Sequence, residues 1–273
     1  MSLPDPSPDS AVLVTGASAG IGTELGRQLA GRGHNVVLVA RRAERLEELA
    51  EELRARHGVV AEPRPCDLAD RDARQALVDE LLAGDKHVGA VCNNAGFSTL
   101  GRFQDLDVDR EMEEAELNVV ALQHITGSFV GPMISRGGGA ILNVGSIAGF
   151  QPLPRQATYS ATKAFVNAFS EAVHTDLAGT GVSCTVLCPG PVKTEFAEVA
   201  GFGGLGEAGP DFVWASAADV ARSGIEGMIK GKRTVIPNLP ARVVGASGRY
   251  SPRTVLLPLY ARLAGGQIDR QSG

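Results

Sequence analysis

Tyr159 and Lys163 stand four residues apart in a chain with only three tyrosines. On a helix this spacing puts both side chains on one face, where an ammonium can approach a phenol. A free phenol titrates at about 10, and a nearby cation favours the phenolate and lowers that value. Such a group can give a proton to an oxygen that is gaining charge, or take one from it. The same spacing also describes many ordinary surface pairs, so the pair needs a setting.

A second group of residues can hold an anion. Thr15-Gly16-Ala17-Ser18-Ala19-Gly20-Ile21-Gly22 joins an apolar run to a helical pattern. In that context Gly16 permits the turn, Gly20 lets a pyrophosphate approach the backbone and Gly22 packs helix on sheet. The free amides at the helix start, around Ser18 and Ile21, favour the anion. No Gly-Lys-Ser/Thr follows, so the turn is not a P-loop; it could also be purely structural. The second strand ends Val39-Ala40-Arg41-Arg42. A carboxylate there would take ribose hydroxyls, whereas guanidinium groups accommodate a 2′-phosphate, which favours NADP (NADPH) over NAD. The alternative is that Arg41 and Arg42 only solvate a helix start. Asp67, after the third strand, could accept from an adenine amino group or cap the next helix.

The elements that must position these residues are legible as two alternating hydrophobic periods. Strands are predicted at Ala11 to Thr15, Asn35 to Ala40, Val59 to Pro65, Val88 to Cys92, Ala140 to Gly145, Val182 to Cys188 and Thr234 to Ile236. Helices are predicted at Ile21 to Leu29, Ala43 to His57, Ala69 to Ala83, Val108 to roughly Val130, Ala157 to Leu177 and Ala218 to Lys230. Near-continuously apolar strands that each lead into a helix indicate a parallel sheet covered on both faces. Right-handed crossovers then give a Rossmann-type, doubly wound α/β fold of about seven strands. Residues 11–236 read as one domain, residues 1–10 as a frayed tail and residues 237–273 as a basic, apolar extension.

With that order in view, the chain resembles the short-chain dehydrogenase/reductase family. The resemblance rests on T-G-x-x-x-G-x-G, on Asn93-Asn94-Ala95-Gly96 after the fourth strand, on Ser146 after the fifth and on Tyr159-x-x-x-Lys163. Pro189-Gly190-Pro191-Val192-Lys193-Thr194 matches the family's turn after the sixth strand. It implies a single NADP-binding catalytic domain that reduces a carbonyl, or oxidises the alcohol, by hydride transfer with Tyr159 as acid/base. Ser146 would hydrogen-bond the reacting oxygen and Lys163 the ribose hydroxyls. Asn118 would hold a water linking Lys163 to solvent. Gly16, Ser18, Gly20, Ile21, Gly22, Arg41, Arg42, Asp67, Asn94, Ala95, Gly96, Pro189, Gly190, Val192 and Thr194 would line the cofactor, Thr194 at the nicotinamide carboxamide. A NADP-binding regulatory or scaffold protein on the same fold is the alternative, but such a module has no need of Tyr159.

Composition narrows the partners. The 26 basic and 31 acidic residues of the 273-residue chain give a net charge of −5, which sets aside general nucleic-acid binding. Cys66, Cys92, Cys184 and Cys188 form no C-x-x-C pair, and the five histidines show no metal spacing; reduced thiols in a cytoplasmic protein are the expectation. No run approaches about 18 continuous apolar residues. Between Glu195 and Ala217, five glycines mix with Phe196, Phe202, Leu205, Phe212 and Trp214, as in a substrate lid. With Phe97, Phe150 and Leu153 they favour a small apolar ketone or 3-oxoacyl substrate, although these residues could equally be core or subunit contact. Residues 230–263 hold seven basic residues and no acidic one. That segment reads as helices packing on a neighbouring subunit of a dimer or tetramer, or as a surface for anionic membrane or an acyl carrier.

Overall fold

The computed structural model describes residues 3–195 and 214–258. Seven parallel strands form the main sheet: β1 (Ser10–Thr15), β2 (Asn35–Ala40), β3 (Ala61–Pro65), β4 (His87–Asn93), β5 (Gly139–Val144), β6 (Val182–Leu187) and the short strand Thr234–Val235 at one edge. Their order is β3-β2-β1-β4-β5-β6 followed by Thr234–Val235. The direction of winding reverses between β1 and β4, which opens a crevice at the carboxyl ends of those strands.

Alternation along each strand feeds two cores. Val12, Val14, Val36 and Leu38 face one side, where they meet Leu25 and Leu29 of α1 (Gly20–Ala30) and Leu46 and Leu53 of α2 (Ala43–His57). Leu13, Val37, Val39 and Ile141 face the other. There Leu77 and Leu81 come from α3 (Arg71–Ala83), and Ile125, Phe129 and Met133 from α5 (Leu122–Ser135). α6 (Ala157–Asp176) shares that side, and α7 (Ala217–Ile229) packs beside α1. Covering both faces is why the strands need near-continuous apolar sequence.

Four local features depart from the sequence expectations. The long helix from Val108 divides into α4 (Val108–Ala115), a wide π-helical turn Glu116–Ala121, and α5; such turns recur at functional sites. Residues 3–10 are not frayed: Leu3 is buried in the first core, and the Asn35 side-chain amide donates to the carbonyls of Ser7 and Pro8. Asp70, not Asp67, caps α3, accepting from the amides of Asp72 and Ala73. The extension after 236 folds back as α8 (Leu239–Tyr250), whose Ala241 joins a third apolar cluster with Ile147, Val166 and Cys188. Helix resumes at 253–258, just after Ser251-Pro252.

A two-stranded ribbon pairs β7 (Val192–Lys193) with β8 (Ala215–Ser216), which ties together the ends of the glycine-rich segment. The lid residues Phe196, Phe202, Leu205 and Phe212 lie outside the described residues, as do Leu259, Arg262 and Leu263 of the basic extension. The four cysteines are free thiols, three of them buried.

Candidate active site

The glycine turn sits at the head of the crevice. Gly16 and Gly20 both hold positive φ, +66° and +54°, where a side chain would be strained. A Cβ on Gly22 would lie 2.1 Å from the Gly16 carbonyl oxygen, so Gly22 packs on the turn itself more than on the sheet. A Cβ on Gly20 would stand 2.9 Å from the Thr194 methyl group. Thr194 therefore closes on the glycine turn from the far side of the crevice. Ala19 precedes α1 without a side-chain cap, leaving the helix-start amides free for an anion.

Thr15 organises the opposite wall. Its hydroxyl oxygen accepts from the amides of Asn94 at 2.9 Å and Ala95 at 3.0 Å, and the Asn94 side chain donates back to the Thr15 carbonyl at 3.0 Å. These bonds lock the segment after β4 onto the end of β1, a tie through Thr15 that the sequence alone does not assign. The only local signal of Thr15 is its place before Gly16. Gly96 lies deeper: a Cβ there would be 2.7 Å from the Asn118 side-chain oxygen Oδ1 and 3.7 Å from Lys163 Nζ.

At the outer end, Arg42 donates through Nε and Nη2 to the Ser18 hydroxyl, each at 3.1 Å. Arg42 and Arg45 also share the Glu195 carboxylate at 2.9 and 2.6 Å. Those two arginines hold the Glu195 carboxyl below the usual carboxylate range. Arg41 lies 3.3 Å from Glu113 and 3.9 Å from Asp67. Ser18 and Arg42 thus meet at an exposed position suited to a phosphate, while the contacts of Arg41 are with Glu113 and Asp67. Arg45 and Glu195 belong to the Arg42 position as well, and the 150 residues between them hide that from the sequence.

The inner end is buried. Ser146 begins the short 3-10 turn Ile147–Phe150 and accepts from the Ala148 amide at 3.0 Å, while the Asn167 side chain holds its carbonyl at 2.9 Å. The Pro189 carbonyl accepts from Ile147, and Gly190 packs against Ala241 and Ile147, so the turn after β6 buttresses this one. Lys163 Nζ is buried, donates to the Val144 carbonyl at 2.8 Å and stands 5.7 Å from the centre of the Tyr159 ring. Asn118 does not face solvent: its side-chain oxygen accepts from Phe97 N at 3.1 Å, and its amide donates to Phe97 O at 2.9 Å and to the Thr162 hydroxyl at 3.2 Å.

Two further acids lie here. Glu114 and Glu111, three residues apart on α4, are both buried. Glu114 accepts from the Thr99 amide at 2.8 Å and the Thr99 hydroxyl at 2.9 Å; Glu111 accepts from the hydroxyl of Thr158, the residue before Tyr159. One carboxylate oxygen of each has no hydrogen-bond partner. Burial, aided by the charge of Glu111, pushes Glu114 up to about 7.

The titration expected for the tyrosine is corrected by this setting. Burial pushes Tyr159 up to about 12, with the charge of Glu114 adding to the rise and a hydrogen bond from Ser146 opposing it. Burial also lowers Lys163 to about 8. Desolvation of the phenolate is the largest cause, so this setting favours the protonated phenol.

A doubly wound sheet with a glycine turn at its switch point and a Ser, Tyr and Lys at the next strand end defines a dinucleotide-binding oxidoreductase. The sequence model of the short chain dehydrogenase family matches residues 10–201, and this chain belongs to that family. Sulfoacetaldehyde reductase 2 of Chromohalobacter salexigens is 39% identical over 187 residues, covering 68% of this chain and 73% of that protein. A short-chain dehydrogenase from Sphingobium yanoikuyae, solved in complex with NADPH, superposes with a TM-score of 0.79 at 30% identity, over 91% of this chain and 95% of that one. A variant actinorhodin polyketide ketoreductase with NADPH gives a TM-score of 0.75 at 30% identity, over 86% and 99%.

Proposed function

We propose that this chain is an NADPH-dependent carbonyl reductase, reversibly an alcohol dehydrogenase, acting on an apolar ketone or 3-oxoacyl substrate. The observation that carries the reading is the convergence of Tyr159, Ser146 and Lys163 at the end of β5, beside a glycine turn that a Cβ would fill. The site fits a phosphorylated dinucleotide: uncapped amides at α1 suit the pyrophosphate, and Ser18, Arg41 and Arg42 suit a 2′-phosphate. NADPH supplies the hydride. The protein's part is to orient and to move protons.

In the reductive direction, Tyr159 donates its proton to the carbonyl oxygen while Ser146 hydrogen-bonds the same atom, stabilising charge that grows in the transition state. A phenol held protonated at neutral pH is in the form this step needs. Lys163 would hold the ribose hydroxyls, and Asn118, by fixing the Phe97 backbone, keeps the segment around Gly96 in place. Phe97 is buried, with the Arg110 guanidinium 3.8 Å from its ring centre, and Phe150 packs against Gly245 of α8. The apolar types of Phe97, Phe150 and Leu153 support an apolar ketone over a charged or sugar carbonyl.

Initial rates over a panel of aryl and acyl ketones, a sugar ketone and a charged aldehyde, each with NADPH and NADH, test the reading. Turnover of the apolar ketones with a preference for NADPH is expected. Tight NADPH binding without turnover of any member would return the scaffold alternative, and equal rates across the panel would remove the apolar preference.

A further inference from the structure

The outward face of α8 is a surface feature that carbonyl reduction does not use. Inward, α8 lays Ala241, Gly245 and Gly248 against the protein, and these small residues bring it down onto Ile147, Phe150 and Gln151. Outward, Leu239, Val243 and Tyr250 are 71%, 61% and 80% exposed, and Val255 in the next helical turn is 63% exposed. Offsets of four and seven residues put the first three on one stripe of the helix. An apolar stripe left in water at this density marks a contact surface.

Its charge says what it meets. Arg242 and Arg249 border the stripe, Arg253 follows it, and Lys230, Lys232 and Arg233 precede it. The seven basic residues of 230–263 stand against 19 basic and 31 acidic residues, or −12, in the rest of the chain. Arg242 donates to the Ile236 carbonyl and Arg249 reaches Glu171 at 3.7 Å, and both guanidinium groups remain at the surface.

We propose that α8 and the helical turn at 253–258 are a docking surface for an anionic lipid bilayer, lying in the plane of the headgroups with the stripe toward the acyl chains. A convex helix face bordered by cations of one sign matches a flat, diffusely anionic surface, with arginine stems reaching up to the phosphate layer. The acidic remainder of the protein is repelled by the same surface, which fixes the orientation. Docking stands apart from the reductase reading. The two meet at one place: α8 rests on Ile147 and Phe150, in the short turn that Ser146 begins.

Flotation of the full chain with vesicles of phosphatidylcholine, alone or mixed with phosphatidylglycerol, tests this. Binding to the anionic vesicles only is expected, weakening as ionic strength approaches 1 M, where the screening length falls to about 3 Å. The double variant Val243→Asp, Tyr250→Asp changes only exposed side chains; it should lower vesicle binding roughly tenfold or more, with circular dichroism and NADPH binding unchanged. Failure of the folded protein to float with anionic vesicles would overturn the proposal, as would equal binding by the double variant. So would dissociation of an oligomer by that variant in sedimentation velocity, which would make the face a contact between copies. Loss of ketone turnover in a panel assay with flotation intact would tell against the reductase reading and leave docking standing.

Discussion

The two ends of the crevice are built by opposite means. At the inner end, Ser146, Lys163, Asn118 and Glu114 are buried and each is fixed by backbone groups: Ala148 N, Val144 O, Phe97 N and O, and Thr99 N. At the outer end, Arg41, Arg42 and Arg45 are exposed and joined to carboxylates by ion pairs. Low dielectric makes the inner contacts strong and unforgiving. Exposed ion pairs contribute ~0–1 kcal/mol each and are screened by salt. On the proposed reading, the inner end sets the chemistry and the outer end tunes which cofactor is held.

That contrast can be broken from either side. The largest effect belongs to Tyr159→Phe, which should lower turnover roughly a thousandfold while NADPH binding, read by fluorescence, stays within about twofold. Gly22→Ala comes next, because its Cβ would strike the Gly16 carbonyl at 2.1 Å. A loss of about 1–3 kcal/mol in urea unfolding is expected, together with loss of NADPH binding; a variant of normal stability and affinity would show that the turn is not the anion cradle.

Glu114→Gln probes burial of charge at the inner end. Folding holds the Glu114 proton more tightly than the unfolded chain does, so wild-type stability rises as pH falls from about 7 toward the ordinary value of 4.5. The glutamine, uncharged throughout, lacks this dependence and still offers Thr99 an acceptor. It should therefore unfold later than wild type above pH 7, by up to about 3 kcal/mol, with the advantage gone by pH 4.5. Parallel stability curves would show that Glu114 titrates normally.

The smallest effect is at the outer end. Arg42→Ala should weaken NADPH about tenfold, one charge-assisted contact, with NADH nearly unchanged. The difference should shrink with added salt. An equal loss for both cofactors would place Arg42 in the fold rather than at the 2′-phosphate.

What the sequence disclosed follows the same division. β2 and α2 begin and end where their apolar patterns do, because an unbroken NVVLVA run and a Leu46, Leu49, Leu53 stripe leave few other registers. The turn Gly16 to Gly22 was legible for the same local reason. Contacts between distant segments were not: Thr15 meets Asn94 across 79 residues, and Arg45 meets Glu195 across 150. Glu111 and Glu114 look solvated amid Glu113 and Glu116, yet both are buried, held by the Thr158 hydroxyl and by the Thr99 amide and hydroxyl. The π-helical turn at Asn118 is likewise a tertiary outcome, since nothing in ELNVVA interrupts a helical period. α8 hides its inward face in Ala241, Gly245 and Gly248, glycines that weigh against a helix until something is packed under them.

Transfer of label tests the inner-end chemistry most directly. Wild type and Tyr159→Phe are incubated with NADPH deuterated at the transferring carbon and an apolar ketone, and the alcohol is analysed by mass spectrometry. The account predicts alcohol carrying one deuterium at the carbinol carbon from wild type, and almost none from a variant that still binds NADPH. Unlabelled alcohol, or equal labelled product from Tyr159→Phe, would contradict it.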